Sequence, residues 1–448
     1  MNITSKTFLS LTVLLLSAVT SSLHAEPVSF SKQIAPMLID NCLACHGPKK
    51  AEGGYRVDSF ERAKAAGESG LAGLKAKDLN GSEVYRRITT TDKSERMPLD
   101  GDPLSKEQIE LVKRWLEEGA NYDSADPKAN LLSIIPPPTH PDAPEAYRQA
   151  MPITAVAFTP DGAQVVAGGY HELTIWNPVD GTLVRRIPNI GQRTYALAFS
   201  PDGKILAVAG GAPGRLGETR LLDFATGKII RAFALTSDVV LDLAFSPQGD
   251  RLATAAADSS VRIFDVNSGA EQLVINSHSD WVNCVAWSAD GTRLVSGSRD
   301  KTAKVFDSKT GDLIVTYSGH GQSVKGVAFH PEGKNAYSAG GDKKIHQWAI
   351  ADGKKVSEMS FGDEVYKLPI AGGFMFASSA DKTVRQYDPK TAKEVRQYPG
   401  HGDWALSAAF NEATKRLATG SFNGEVKVWN TEDGKVVTSF FAAPGLKK

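Results

Sequence analysis

Residues 319–348 read GHGQSVKGVAFHPEGKNAYSAGGDKKIHQW, and this stretch sets out in full a unit that the chain repeats. His-Pro-Glu-Gly at 330 follows an alternating apolar strand and opens a turn into another. The same turn recurs as Thr-Pro-Asp-Gly at 159, Ser-Pro-Asp-Gly at 200, Ser-Pro-Gln-Gly at 246 and Ser-Ala-Asp-Gly at 288, a period of 41 to 46 residues. Proline and glycine at these places punctuate strands. A unit of that length with four short strands cannot bury its own apolar faces, so units stack radially as the blades of a β-propeller. A second register agrees. Asp258, Asp300, Asp342, Asp381 and Asn423 fall at matching turns, and Phe264, Phe306, Trp348, Tyr387 and Trp429 stand six residues after them. Trp176 marks a further unit and Leu221-Leu222-Asp223 another, which makes seven blades.

His278, His320 and His401 stand 22 residues before Asp300, Asp342 and Asn423. A constant offset means one structural task repeated. Turns, aromatics and histidines together resemble the WD-repeat family. The resemblance implies that each histidine bonds the turn residue, with a Ser or Thr and the aromatic completing a buried network; Gly319-His320, Ser338, Asp342 and Trp348 make a full set. Satisfied networks of this kind rigidify a blade. The propeller is therefore expected to carry no cofactor or catalytic metal, and by analogy of fold to dock a protein ligand. His171, His330 and His346 fall outside the register and are expected at turns or on the surface. The glycine-rich run at 210–217 is expected as an extended hairpin, since no helix follows it to cradle a phosphate.

Ahead of the repeats stands Asn41-Cys42-Leu43-Ala44-Cys45-His46. Cys-x-x-Cys-His is the attachment motif of a c-type haem. Cys42 and Cys45 can add to the two vinyl groups of one porphyrin, and His46 is then held beneath the iron as an axial ligand. One covalent haem c is expected. A redox-active cysteine pair would want a βαβ setting, and a zinc site would want two more ligands. The third cysteine, Cys284, lies in an apolar strand pattern and is expected to be buried and inert. Met97, in Glu95-Arg96-Met97-Pro98-Leu99, is the candidate sixth ligand, because Pro98 stiffens this non-helical segment and biases Met97 to extended backbone. Met37 lies one helical turn before Cys42, on the wrong side of its own attachment site. A Met-His pair raises the haem potential for electron transfer.

Residues 1–25 read as a secretory signal: Lys6 supplies charge, residues 8–19 the apolar stretch and Leu23-His24-Ala25 a cleavage site. The apolar stretch is too short to span a bilayer, so the expected product is periplasmic with no integral membrane segment. Lys plus Arg and Asp plus Glu both number 51, and losing Lys6 leaves one net negative charge. Such a balance argues against nucleic acid as a partner.

From 26 to 122 the pattern is helical and loop-rich. Ile34, Leu38 and Cys42 share one face of a short helix that tolerates Pro36 in its first turn, and a Ser105/Gln108 capping box opens a helix carrying Ile109, Val112, Trp115 and Leu116 up to Gly119. Phe30, Pro36, Gly47, Gly53, Gly54, Asp58 and Leu104, with the haem motif, Met97 and Trp115, resemble the planctomycete-type cytochrome c family. That family leads one to expect Ser-Leu where this chain has Ser82-Glu83-Val84, a departure expected to touch helix packing and spare the ligands. The resemblance implies a mono-haem cytochrome and brings no substrate with it.

Residues 123–150 hold Pro127, Pro136, Pro137, Pro138, Pro141 and Pro144 without periodicity and read as a semi-rigid Pro-rich linker. The expected plan is multidomain: signal at 1–25, a small all-α c-type cytochrome domain at 26–122, the linker at 123–150, and an all-β seven-bladed WD-type propeller at 151–448. The expected function is electron transfer to redox partner proteins, without catalysis. The alternatives are a haem-linked oxidoreductase with its catalytic site in the propeller and a haem-based redox sensor.

Overall fold

Each repeat turn falls between two antiparallel strands, and the strands group into seven sheets. The computed structural model describes residues 26–47, 50–99, 101–136, 139–236 and 238–446; the signal read at 1–25, together with Pro137 and Pro138, lies outside them. The innermost strands of blades 1 to 7 are Val156–Phe158, Arg193–Phe199, Val240–Phe245, Val282–Trp287, Val324–Phe329, Val365–Lys367 and Ala405–Asn411. Every blade takes its strands in chain order from the centre outward, and blade 6 adds a short strand, Ile370–Ala371. Second strands such as Arg251–Ala256 and Asn335–Gly340 are buried along almost their whole length. They are pressed between neighbouring blades, and small residues predominate in them, with Leu252 and Tyr337 as fully buried larger side chains.

No blade borrows a strand from another, so the ring closes by packing. Val156, Phe158 and Val165 of blade 1 share an apolar cluster with Ala418, Val426 and Val428 of blade 7. Ile153 N–H donates to Ser421 O (3.0 Å), Ser407 Oγ to Ile153 O (2.9 Å) and Asn411 Nδ2 to Pro160 O (3.0 Å).

The 22-residue offset is a chain of hydrogen bonds. In blade 5 Trp348 Nε1 donates to Ser338 Oγ (3.1 Å), Ser338 shares its proton with His320 Nε2 (2.7 Å), and His320 Nδ1 bonds Asp342 (2.8 Å). Blade 4 repeats the chain with His278, Ser296 and Asp300. Blade 7 departs from it. His401 reaches Thr419 (2.7 Å), but its Nδ1 bonds Glu425 at 3.3 Å, while the Asn423 side chain accepts from the Glu425 N–H. A neutral amide at the turn attracts the imidazole less than the carboxylate two residues on.

His346 corrects the surface expectation. It lies within the strand Lys344–Ala349 at 2% exposure, its ring stacked on His320 at 4.2 Å and 13° and its Nδ1 bonded to Tyr317 Oη (2.8 Å). Blades 3, 4, 6 and 7 carry Arg262, Lys304, Arg385 and Lys427 at this register, long enough to carry charge outward. A histidine is too short and turns inward. His171 and His330 do occupy turns, yet they too are buried. Burial, and next the His320 charge, push the His346 imidazole down to about 4. The unfolded chain therefore binds its proton first, and stability falls as pH drops from about 6.5 towards 4. Between pH 7.5 and 5 this one group is expected to cost about 2 kcal/mol. Urea midpoints of wild type and His346→Gln at the two pH values check it; an equal drop in both would refute it.

The region before the propeller is built from short helices: α1 (Ala35–Asn41), α2 (Phe60–Lys64), α3 (Glu83–Thr89), α4 (Lys106–Glu117) and α5 (Leu131–Ile134). Pro36 does sit in the first turn of α1, and Ser105 with Gln108 forms the reciprocal cap of α4. Ile34 and Leu38 meet Val112, Trp115 and Leu116 in one core, to which Phe30 and Phe60 add edge-to-face packing.

The Pro-rich segment holds the short helix α5 and is no free spacer. Tyr147 is buried at 6% exposure; its Oη donates to Glu172 (2.7 Å), and its N–H donates to Pro444 O (2.9 Å). His140 Nε2 bonds Glu218 (2.6 Å). Glu172 and Glu218 stand four residues before Trp176 and Leu222, the register at which Glu425 takes His401 in blade 7. Blades 1 and 2 lack that histidine, and the linker supplies the missing partners. Each glutamate also pairs with an arginine, Arg186 or Arg220. Burial alone would raise the Glu218 carboxyl, but bonds from His140 and Arg220 hold it below the usual carboxylate range. Further upstream, α5 lies against both α1 and the outer strand of blade 2, Lys228–Thr236.

Candidate functional site

α1 ends at Cys42, whose N–H still bonds Leu38 O (2.9 Å), and the chain then tightens into a turn in which the Cys45 and His46 N–H groups both return to Cys42 O. Neither cysteine takes part in a disulfide. Burial, and next the Cys45 charge, push the Cys42 thiol up to about 12. His46 O accepts from Val57 N–H (2.8 Å), and its ring meets Tyr55 edge-on at 5.5 Å. Tyr55 is fixed in turn by donating to Ala63 O (2.6 Å).

These residues wall a cavity of about 460 Å³. Cys42, His46, Tyr55 and Val57 form one side, and Val84, Arg87, Ile88 and Met97 also line it. Cys45 belongs to the same turn but is not part of the lining. Glycine thins the wall at Gly73, where a Cβ would lie 2.4 Å from both Tyr55 Oη and Ala63 O. His46 Nδ1 is buried and has no hydrogen-bond partner. A mostly apolar cleft whose wall holds a cysteine, a histidine and a methionine suits a flat apolar group carrying a metal at its centre.

The reach of α3 into this wall was not anticipated. Glu83 and Val84, expected to matter for helix packing alone, line the cavity. Glu83 accepts from Arg86 Nε (2.8 Å) and Arg87 Nε (2.8 Å), and the Arg86 bond is the chief reason its carboxyl is held down at about 2. The spacing from Glu83 to Arg86 and Arg87, three and four residues, was the available signal.

Residues 42–101 match the planctomycete cytochrome C family, and residues 227–265, 269–307, 311–349 and 392–430 match the WD domain, G-beta repeat. The chain joins a planctomycete-type cytochrome c sequence to a WD-repeat propeller. Curated relatives are similar to this cytochrome–propeller chain over short spans. Protein groucho of Drosophila melanogaster is 29% identical over 27% of the chain and 16% of its own length. Target of rapamycin complex subunit wat1 of Schizosaccharomyces pombe is 30% identical over 24% of the chain and 34% of its own length. The U3 small nucleolar RNA-associated protein 18 homolog of Mus musculus is 27% identical over 29% and 24%. The chain thus spans about a third or less of the length of each. Such likeness supports a WD-type interaction platform and carries no redox role.

In the propeller the central channel, about 970 Å³, is lined mainly by apolar side chains and backbone of the inner strands. Lys367 of blade 6 reaches Asp242 of blade 3 there (2.9 Å), which neutralises both charges. Cys284 lies at its wall, its thiol pushed well up by burial, as suits an inert residue. His320, Asp342 and His346 bring three possible ligand atoms within 4.8 Å of one another. However, both His320 nitrogens are already bonded, and stacked parallel rings aim their lone pairs side by side, so one ion cannot lie in the plane of both. Among the described residues no helix is long and apolar enough to cross a membrane.

Proposed function

We propose that residues 26–122 form a small all-α mono-haem c-type cytochrome domain, exported to the periplasm through the signal at 1–25, which exchanges electrons with a redox partner while the propeller docks a protein ligand. One observation carries this reading: Cys42, His46 and Met97 line a single cavity of haem-like proportions. Cys42 and Cys45 would hold one haem c by thioether bonds, with His46 and Met97 as axial ligands. When bound, the haem supplies one-electron chemistry at its iron. The protein's part is positional. The turn that follows α1 delivers both sulfurs and the imidazole from one short segment, Tyr55 packs against the His46 ring, and the backbone bond from Met97 N–H to Arg87 O (3.0 Å) fixes the loop that bears the thioether. Keeping both ligands on stiff segments limits rearrangement between oxidation states, which favours electron transfer over catalysis.

Acid–acetone treatment is expected to leave the haem on the protein, and the oxidised form to show the weak near-infrared sulfur-to-iron band. Met97→Ala should abolish that band and keep the covalent haem. A wild type without the band would overturn Met97, and extractable haem would overturn the two thioethers.

A further inference from the structure

The loop that carries Met97 has few ties of its own. Asp92 O accepts from Glu95 and Arg96 N–H, which closes one turn, and Pro98 follows Met97 at once. Asp92 Oδ1 also accepts from Ser94 N–H (2.8 Å) and Oγ (2.7 Å), and among the described residues the hydrogen bonds that tie residues 93–97 to the rest of the protein come from α3. Arg86 Nη1 bonds Glu95 Oε2 (2.6 Å), Arg87 Nη1 bonds Glu95 O (3.3 Å), and Met97 N–H bonds Arg87 O (3.0 Å). Both arginines are themselves oriented by Glu83, which takes Arg86 at Nε and Nη2 (2.8 Å each) and Arg87 at Nε (2.8 Å). Glu83, Arg86 and Arg87 therefore act as one jig with three attachments to a six-residue loop. A bidentate guanidinium–carboxylate pair fixes direction as well as distance, which a lysine could not do.

We infer that Arg86 and Glu95 are positioning residues for the sixth haem ligand: their ion pair, braced by Glu83, holds Met97 at the cavity and limits how readily the thioether gives way to another ligand. This rests on the haem reading above. Arg86 and Glu95 are both absent from the cavity wall, so they act on the site through neighbours, Glu95 through the loop and Arg86 through the loop and Glu83. Its side chain is 40% exposed and that of Glu95 43%, so neither replacement empties the core.

Affinity of the oxidised holoprotein for added imidazole measures how often Met97 is displaced. Partly exposed pairs are individually weak, so the expected effect is moderate: imidazole should bind Arg86→Gln and Glu95→Gln about five-fold more tightly than wild type, with covalent haem content unchanged. The double variant should match Arg86→Gln, which already removes the contact with Glu95 along with the pairing to Glu83. Arg86→Lys should fall between, and Lys113→Gln, which breaks an exposed pair on α4, should match wild type. A wild type with the sulfur-to-iron band whose imidazole affinity is unmoved in Arg86→Gln and Glu95→Gln refutes the positioning role. Absence of the band from the wild type refutes instead the haem-ligand reading beneath it. If Arg86→Gln fails to fold, Glu95→Gln decides alone, since it leaves α3 intact.

Discussion

Replacing Cys42 and Cys45 together with alanine is expected to unfold residues 26–122 and leave the propeller standing. The region's own packing is thin. α1, α2, α3 and α5 have seven, five, seven and four residues, and helices so short are not stable alone in water. They rest on one core cluster that borders a cavity of about 460 Å³. Were that cavity closed and dry, the measured cost of about 24 cal/mol per Å³ would come to roughly 11 kcal/mol. Its open mouth lowers the figure, yet half of it would still match the whole stability of a small domain. Filling the space with a covalently held group removes the deficit. Limited proteolysis reads the outcome directly: cleavage within 26–122 should become rapid in the double variant and remain slow in wild type, with the blades equally resistant in both. A variant whose N-terminal region stays protected would show that the helices fold without the group, and the cavity would need another explanation.

The propeller was legible because its structural tasks are repeated. His278 and His320 each meet an aspartate 22 residues on, and an interval that recurs can be read without knowing what it does. The Cys-x-x-Cys-His motif stands out for the opposite reason, since it is compressed into five residues, Cys42 to His46. What escaped was neither repeated nor local. His346 pairs with Tyr317 in the outermost strand of the preceding blade, and nothing in its sequence neighbourhood distinguishes it from an exposed residue of an edge strand. Blade 7 shows the limit of register itself: Asn423 keeps the turn while Glu425 takes the histidine, because charge and reach decide the partner. The linker was misread for a related cause. Composition says nothing of Glu172 and Glu218, whose need for partners arises only after blades 1 and 2 have folded.

That need gives the second large expectation: a fragment beginning at residue 151 should be markedly less stable than one beginning at residue 139. Both contain every strand of the seven blades. Only the longer keeps Tyr147 and His140. In the shorter, Glu172 and Glu218, buried at 1% and 2% exposure, lose one hydrogen-bond partner each, and Pro444 O and the Tyr170 N–H lose theirs as well. An unsatisfied buried group costs about 1–3 kcal/mol, and losing a buried aromatic ring costs about 2–3 kcal/mol more. Arg186 and Arg220 remain beside the two carboxylates and spare the fragment the larger penalty of an unpaired buried charge. The net loss should be on the order of 5 kcal/mol, read as a lower urea midpoint. Tyr147→Phe in the longer fragment should recover most of its stability, because it keeps the ring and removes only the hydroxyl, whereas Tyr147→Ala should approach the short fragment. Equal midpoints for the two fragments would restore the linker to a plain spacer. A large gap would place the start of the propeller near residue 139, with the strap closing blades 1 and 2 and carrying the N-terminal region against blade 2 through α5.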